Sequence, residues 1–275
     1  MNDLQKVEFE LFKVFKEICE KLNLNYFLVC GSALGAARHG GFIPWDDDMD
    51  VGMYREDYNK FMQQAPALLP DGVFLQNYKS EPKFPQIFAK LRNSNTTYTE
   101  KSMSHLDINH GIYIDIFPLD GYPEDIAEQR KLAKIKSLYV RQLTCVCKLP
   151  QTLKGKLSVS MFRLLGYHKR TSKIAAKYET YISKYPVENS KKICNHGTWY
   201  GQRDFISSDF YGKGTDIIYE GINVRVPEKY DEYLTALYGD WRTPPPVEKQ
   251  KGHHYYEICD IEKPYTYYIK GNSQK

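Results

Sequence analysis

The sequence contains no run of about 18 apolar residues, so no membrane-spanning helix is expected. Asn2, Asp3, Lys6 and Glu8 interrupt the opening residues, which excludes the apolar core of an export signal. None of the six cysteines (Cys19, Cys30, Cys145, Cys147, Cys194, Cys259) falls in a CxxC pair. A zinc site or a disulfide framework is therefore not expected; free thiols in a reducing cytoplasm are. Internal repeats and low-complexity tracts are absent too. The last absence is local: from Arg130 to Lys177 there is no Asp or Glu, while thirteen Lys and Arg occur. Such a field favours anionic lipid headgroups, a pyrophosphate-linked acceptor or nucleic acid, or is simply a solvated helical face.

What is present describes a soluble globular chain of 275 residues, 42% hydrophobic and 26% charged, with a net charge of +4. Its 23 tyrosines combine flat apolar faces with hydroxyls, which suits sugar, nucleotide or quaternary-ammonium ligands as well as an aromatic-rich core. Leu4, Val7, Leu11, Val14, Phe15, Ile18 and Leu22 recur at helical spacing over 4–22. Strands are predicted at 26–30, 49–53, 73–77, 87–91 and 112–117, the last ended by Pro118. Helices are predicted at 33–38, 55–69, 123–149, in two stretches over 151–183, and at 228–238. A hairpin over 217–226 turns near Glu220-Gly221. The order implies an α+β fold, with a catalytic core over 1–120 and a largely helical region over 121–275 that completes the site.

The chemistry concentrates in Trp45-Asp-Asp-Asp-Met-Asp-Val51. If this segment is a strand, Asp46, Asp48 and Asp50 share one face, Met49 and Val51 pack on the other, and Asp47 points elsewhere. Carboxylates held so close repel unless a cation lies between them, and hard oxygen ligands suit Mg²⁺ or Mn²⁺. Asp115, inside the apolar run Gly111–Phe117, needs a partner as well. It would complete the metal site if the two strands are neighbours. Gly31-Ser32, between a strand and a helix, matches a phosphate-binding helix start. Lys90 and Arg92, two apart on a predicted strand, are candidates to clamp a pyrophosphate, and Arg38 and His39 to reach a donor.

Gly31-Ser32 after a strand, an Asp-x-Asp strand and a lone later Asp together resemble the nucleotidyltransferase superfamily. More specifically, Gly31–Val51, Gly111–Asp120 and Leu237-Tyr-Gly-Asp-Trp-Arg-Thr-Pro-Pro-Pro246 resemble the LicD family, related to fukutin-related protein. The similarity runs over roughly residues 8–255. It implies a nucleotidyltransferase-like mixed β-sheet flanked by helices. The implied activity is transfer of phosphocholine from CDP-choline to a sugar hydroxyl of a teichoic-acid or lipopolysaccharide precursor, releasing CMP.

Carried over, Asp48 and Asp50 would bind the metal, with Asp46 as a further ligand. Asp115 would be the third carboxylate and the base for the acceptor hydroxyl. Ser32 and the adjoining backbone would hold the donor phosphate. Choline would need an aromatic box, for which Trp45, Trp199, Tyr200, Tyr211 and Tyr219 are candidates, with Glu220 as counter-charge. His253-His254 resembles the family's C-terminal His pair; with His196 it is a candidate contact to phosphate or acceptor, or an ordinary surface or buried histidine. Two rivals are kept: another CDP-alcohol donor such as CDP-ribitol or CDP-glycerol, and a non-catalytic scaffold docking on glycan or membrane. The acceptor would be a glycan, lipid-linked in some settings, and the protein would sit peripherally at the inner face of the plasma membrane. Nucleic acid is not an expected partner.

Overall fold

The computed structural model describes residues 1–149, 153–198, 200–252 and 255–271. Helices are α1 (Asp3–Leu22), α2 (Cys30–His39), α3 (Arg55–Gln64), α4 (Ile126–Val146), α5 (Leu153–Leu164), α6 (Thr171–Ile182), α7 (Ser208–Tyr211), α8 (Tyr230–Tyr238) and α9 (Tyr265–Gly271). Strands are β1 (Phe27–Leu28), β2 (Asp50–Tyr54), β3 (Val73–Gln76), β4 (Ala89–Asn93), β5 (Thr97–Glu100), β6 (Ile112–Gly121), β7 (Lys192–Asn195), β8 (Phe205–Ser207), β9 (Thr215–Tyr219), β10 (Ile222–Val226) and β11 (Tyr256–Asp260). The fold is α+β. One mixed sheet runs β1-β2-β6-β4-β3, with β7 added on β6 and β8 on β7; the pairs β9–β10 and β5–β11 stand beside it.

The long strand β6 is the spine of the sheet. β2 lies parallel to it with Asp50 opposite Asp115, and β4 lies antiparallel with Lys90 opposite Asp115. The strand was expected to stop at Pro118, yet it continues to Gly121. The reason lies in its two successive partners. β4 pairs only as far as Ile116, and β7 begins at Leu119, so Pro118 falls between them. The N–H of Asp115 points to the β2 side, where it bonds Met49 O at 2.8 Å. Alternation then aims position 118 at the gap, where a missing donor costs no ladder bond. Strands from both sides of residue 120 thus share one sheet.

Helix α1 starts with reciprocal caps: Gln5 N–H donates to the Asn2 side chain, and Asn2 N–H donates to the Gln5 side chain. Its apolar face, with Phe12, Phe15 and Ile18, packs into the main core on β6 and β4. A second core, with Tyr78, Phe84, Ile87, Leu143, Ile174 and Tyr178, joins α4 and α6 to the far end of the sheet. The basic stretch is therefore helical, as expected, and stands to one side of the main core. Among the described residues, no helix is long and apolar enough to cross a membrane.

Candidate active site

The acidic segment is not a strand over its whole length. Pro44-Trp45 makes a turn, residues 46–49 are irregular, and β2 begins at Asp50. The turn is closed by Asp46 N–H on Ile43 O at 3.0 Å. It is pinned from outside by the Gln5 amide, which donates to Ile43 O (3.1 Å) and Asp46 O (3.0 Å). Even so, Asp46, Asp48 and Asp50 line one cavity and Asp47 does not, its carboxylate lying against Gly252. One carboxylate oxygen from each of Asp46, Asp47 and Asp48 lies within 4.8 Å of the others. The reading of three same-face aspartates on one strand is therefore corrected: a turn supplies Asp46 to Asp48, and strand register supplies Asp50 and Asp115.

Those two sets meet in one electrostatic unit. Burial, then Asp48, Asp115 and Asp46, push the Asp50 carboxyl well above the usual carboxylate range, with Lys90 opposing. Lys90 Nζ is 3.0 Å from Asp115 Oδ1 and 3.3 Å from the centroid of the Tyr113 ring, in a buried position. A further acid belongs here that sequence reading passed over. Glu8, on α1, is buried, and its Oε2 has no hydrogen-bond partner among the described residues. Burial, then Asp48, Asp47, Asp46 and Asp115, push its carboxyl up as well. Glu8 stands four residues after Leu4 and four before Phe12, on the apolar stripe of an amphipathic helix. A lone acid on such a stripe is the signal that would have found it.

The set opens into a cavity of about 460 Å³. Its lining combines the carboxylates of Asp46, Asp48, Asp50 and Asp240 with Gly31, Arg38 and an aromatic set, Trp45, Tyr200, Tyr238 and Trp241. A side chain at Gly31 would place its Cβ 2.8 Å from Asp46 Oδ2, so glycine is what lets this carboxylate close over the helix start. The other expected phosphate ligands are placed differently. Ser32 Oγ accepts the Asp50 N–H at 2.8 Å and ties α2 to β2. Arg38 lies in the wall, with Nη1 on Trp241 O (2.8 Å) and Nε on His39 Nε2 (3.0 Å).

Arg92 is 0% exposed, donating to Gln76 Oε1 (2.5 Å) and Gly111 O (2.6 Å) and facing Glu100 at 3.4 Å. Lys90 and Arg92 do share a face, but it is the inner one. The expected pyrophosphate clamp at Arg92 is therefore corrected to a structural cation.

Among the aromatic candidates, Trp45 and Tyr200 line the cavity, while Tyr211 and Tyr219 are core residues. Tyr238, Trp241 and Asp240 were not foreseen as a wall. Tyr200 and Tyr238 are joined through their hydroxyls at 3.0 Å. Glu220 is committed to the Phe42 N–H at 3.0 Å. His196 is buried against Tyr178 OH at 3.0 Å, and burial, then Lys136 and Arg55, pull its pKa down to about 3. Trp199, His253 and His254 lie outside the described residues. A larger cavity of about 940 Å³, beside Arg55, Tyr78 and Glu179, has none of the clustered aspartates in its walls.

The comparisons with known proteins now join the geometry. A family profile described as LicD/FKTN/FKRP, nucleotidyltransferase domain, matches residues 23–134. Over that stretch the chain is similar to the LicD-family nucleotidyltransferase domain. The matched stretch holds β1 to β6, and with them Gly31, the four aspartates of the turn and β2, and Asp115. The lipopolysaccharide cholinephosphotransferase LicD of Haemophilus influenzae is 27% identical over 269 residues, covering 94% of this chain and 97% of that one. The ribitol 5-phosphate transferases FKRP of Homo sapiens and Mus musculus are each 34% identical over 91 residues, 33% of this chain and 17% of theirs. The LicD similarity extends beyond the domain to the segments that supply the aromatic wall.

Proposed function

We propose that this chain is a metal-dependent transferase that moves phosphocholine from CDP-choline to a hydroxyl of a cell-surface glycan precursor. The LicD-family domain supports the coarser part, transfer of a phosphate-linked group. The observation that supports the finer part is one cavity lined by both clustered carboxylates and aromatic rings. The acidic wall fits a hard divalent cation: its donors are all carboxylate oxygens, and the buried Glu8 Oε2 beside them lacks a hydrogen-bond partner. Asp46, Asp48, Asp50 and Asp115 would hold Mg²⁺ or Mn²⁺. A bound cation would supply charge neutralisation for the pyrophosphate.

The protein's own groups do the rest. Trp45, Tyr200, Tyr238 and Trp241 offer ring faces to a trimethylammonium, which has no N–H to donate, and Asp240 offers the opposite charge. Arg38, at the end of α2, faces donor phosphate oxygens. The acceptor oxygen attacks the phosphorus of phosphocholine, a new P–O bond forms, and the P–O bond to CMP breaks. The proton leaving the acceptor hydroxyl passes to Asp115, which Lys90 holds in place. Use of a nucleotide donor suits a cytoplasmic site of action.

Incubation with Mg²⁺, CDP-choline and a panel of glycan acceptors should release CMP and label the glycan with choline. In a thermal-shift screen of CDP-choline, CDP-ribitol and CDP-glycerol, CDP-choline at 100 times its dissociation constant should stabilise by about 2.7 kcal/mol. Tyr238→Leu should weaken that response and leave CDP-glycerol unchanged. Stabilisation by CDP-ribitol alone would move the donor assignment toward the group named for FKRP and overturn the choline reading.

A further inference from the structure

Helix α5 carries a face that no described residue covers. Leu157, Met161 and Leu164 follow one another at i, i+4 and i+7, and Leu165 extends the row at i+8. Their exposures are 74%, 53%, 89% and 56%. Val159 and Phe162, on the opposite side of the helix, are half-buried, and the Phe162 ring packs on Tyr167 at 5.1 Å and beneath the Arg141 guanidinium. The helix is thus seated by one face and offers four large apolar side chains to its surroundings on the other. An apolar row this continuous marks a surface meant to be covered.

The flank of that row is cationic. A recess of about 680 Å³ between the end of α4 and α5 is lined by Cys147, Lys148, Leu149, Lys156, Val159, Ser160 and Arg163. Three of these are cations and none is an acid. The whole stretch from Arg130 to Lys177 has no Asp or Glu to offset them. A second copy of this chain meeting the same face through a two-fold axis would press like charges together. A surface that is apolar within and anionic at its boundary meets both demands. At 12 residues, about 18 Å, α5 is too short to span a bilayer and has the length and pattern of a helix lying in its interface.

We infer that α5 is a docking element for an anionic phospholipid bilayer. Leu157, Met161, Leu164 and Leu165 enter the acyl boundary, and Lys148, Lys156 and Arg163 meet the headgroup phosphates. This stands apart from the transfer reading, because vesicle binding is measured without turnover.

The test is co-sedimentation of the full chain with vesicles of phosphatidylcholine alone and of phosphatidylcholine with an equal part of phosphatidylglycerol. Binding is expected only to the second, and is expected to fall as salt is raised. Leu157→Asp with Leu164→Asp should lower the bound fraction at least about tenfold. Lys148→Glu with Lys156→Glu should lower it and flatten the salt dependence. Leu164→Trp, which keeps the face apolar, should bind as the parent does and shift its fluorescence to the blue on anionic vesicles. That variant reads insertion even if the aspartate pair fails to fold by circular dichroism. Equal binding to neutral vesicles, no binding, or aspartate variants that fold and bind like the parent would overturn the inference. So would a parent dimer in solution that Leu164→Asp dissolves, which would assign the face to a second copy.

Discussion

Strand β6 carries two buried aspartates, five residues apart, in opposite circumstances. At one end Asp120, 0% exposed, is held bidentately by Arg55 through Nε (2.7 Å) and Nη2 (2.6 Å). Arg55 in turn reaches Glu179 at 3.0 Å. Lys79 meets Glu179 at 3.5 Å, so two cations face two carboxylates and the group closes on itself. Further back along the strand Asp115 pairs with Lys90 and lies in the field of Asp50, Asp46 to Asp48 and Glu8. The same strand therefore holds a closed ion-pair group and a member of a carboxylate-rich cluster. A balanced buried pair serves the fold, since losing either partner strands a charge. Carboxylates gathered this closely raise one another's pKa, a feature that concentrates at functional sites.

That contrast can be broken by exchanging the two behaviours. The largest effect is expected at Asp50→Asn, which should reduce CMP release at least about 10²-fold, more than loss of a mere supporting residue would. The same variant should leave the melting temperature of the cation-free protein unchanged or raised, because it removes a repelled charge. A matching loss of stability would show that Asp50 is structural after all. Asp120→Ala should do the reverse, costing about 3–5 kcal/mol in urea unfolding by stranding Arg55. Calorimetric Mg²⁺ affinity of the folded fraction should stay that of the parent.

His196 sharpens the comparison through pH. Its folded pKa of about 3 lies below the usual 6.5, so the unfolded chain binds the extra proton first as pH falls. Stability from this residue is complete above 6.5 and is lost on acidification toward 3, by at most about 1.4 kcal/mol per pH unit. His196→Asn should flatten the melting-temperature slope in that window, and an unchanged slope would refute the assignment. The smallest effect is expected at Glu8→Gln, a tenfold weaker Mg²⁺ affinity at about equal stability. Mg²⁺ binding identical to that of the parent would detach Glu8 from the cluster.

Much of this was legible in the residues. Apolar periodicity gave α1, and the turn Glu220-Gly221 gave β9 and β10. Asp115 announced a partner because a charge within Ile-Tyr-Ile-Asp-Ile-Phe has no other excuse, and the register sets Asp50 beside it. The strand predicted for Asp46 and Asp48 did not form because Pro44 and the remote Gln5 amide hold a turn there. Residue alternation knows nothing of a tether from another helix. Parity put Lys90 and Arg92 on one face correctly, but parity cannot say which face is inside. The aromatic wall escaped notice because Tyr200 and Tyr238 are brought together by packing rather than by spacing.

The parallel register of β2 on β6 also governs when the site comes into being. Asp50 and Asp115 lie 65 positions apart, and a parallel pair cannot be closed by a hairpin. A chain leaving the ribosome through β2 carries the acidic turn without its counterpart and can assemble no cluster. The contact is of high order, so it forms late, once the entropy of the intervening chain has been surrendered. On the proposed reading, divalent-cation binding would report on the finished sheet. If the proposed cation binds, metal-dependent protection from proteolysis should appear only when β6 has docked.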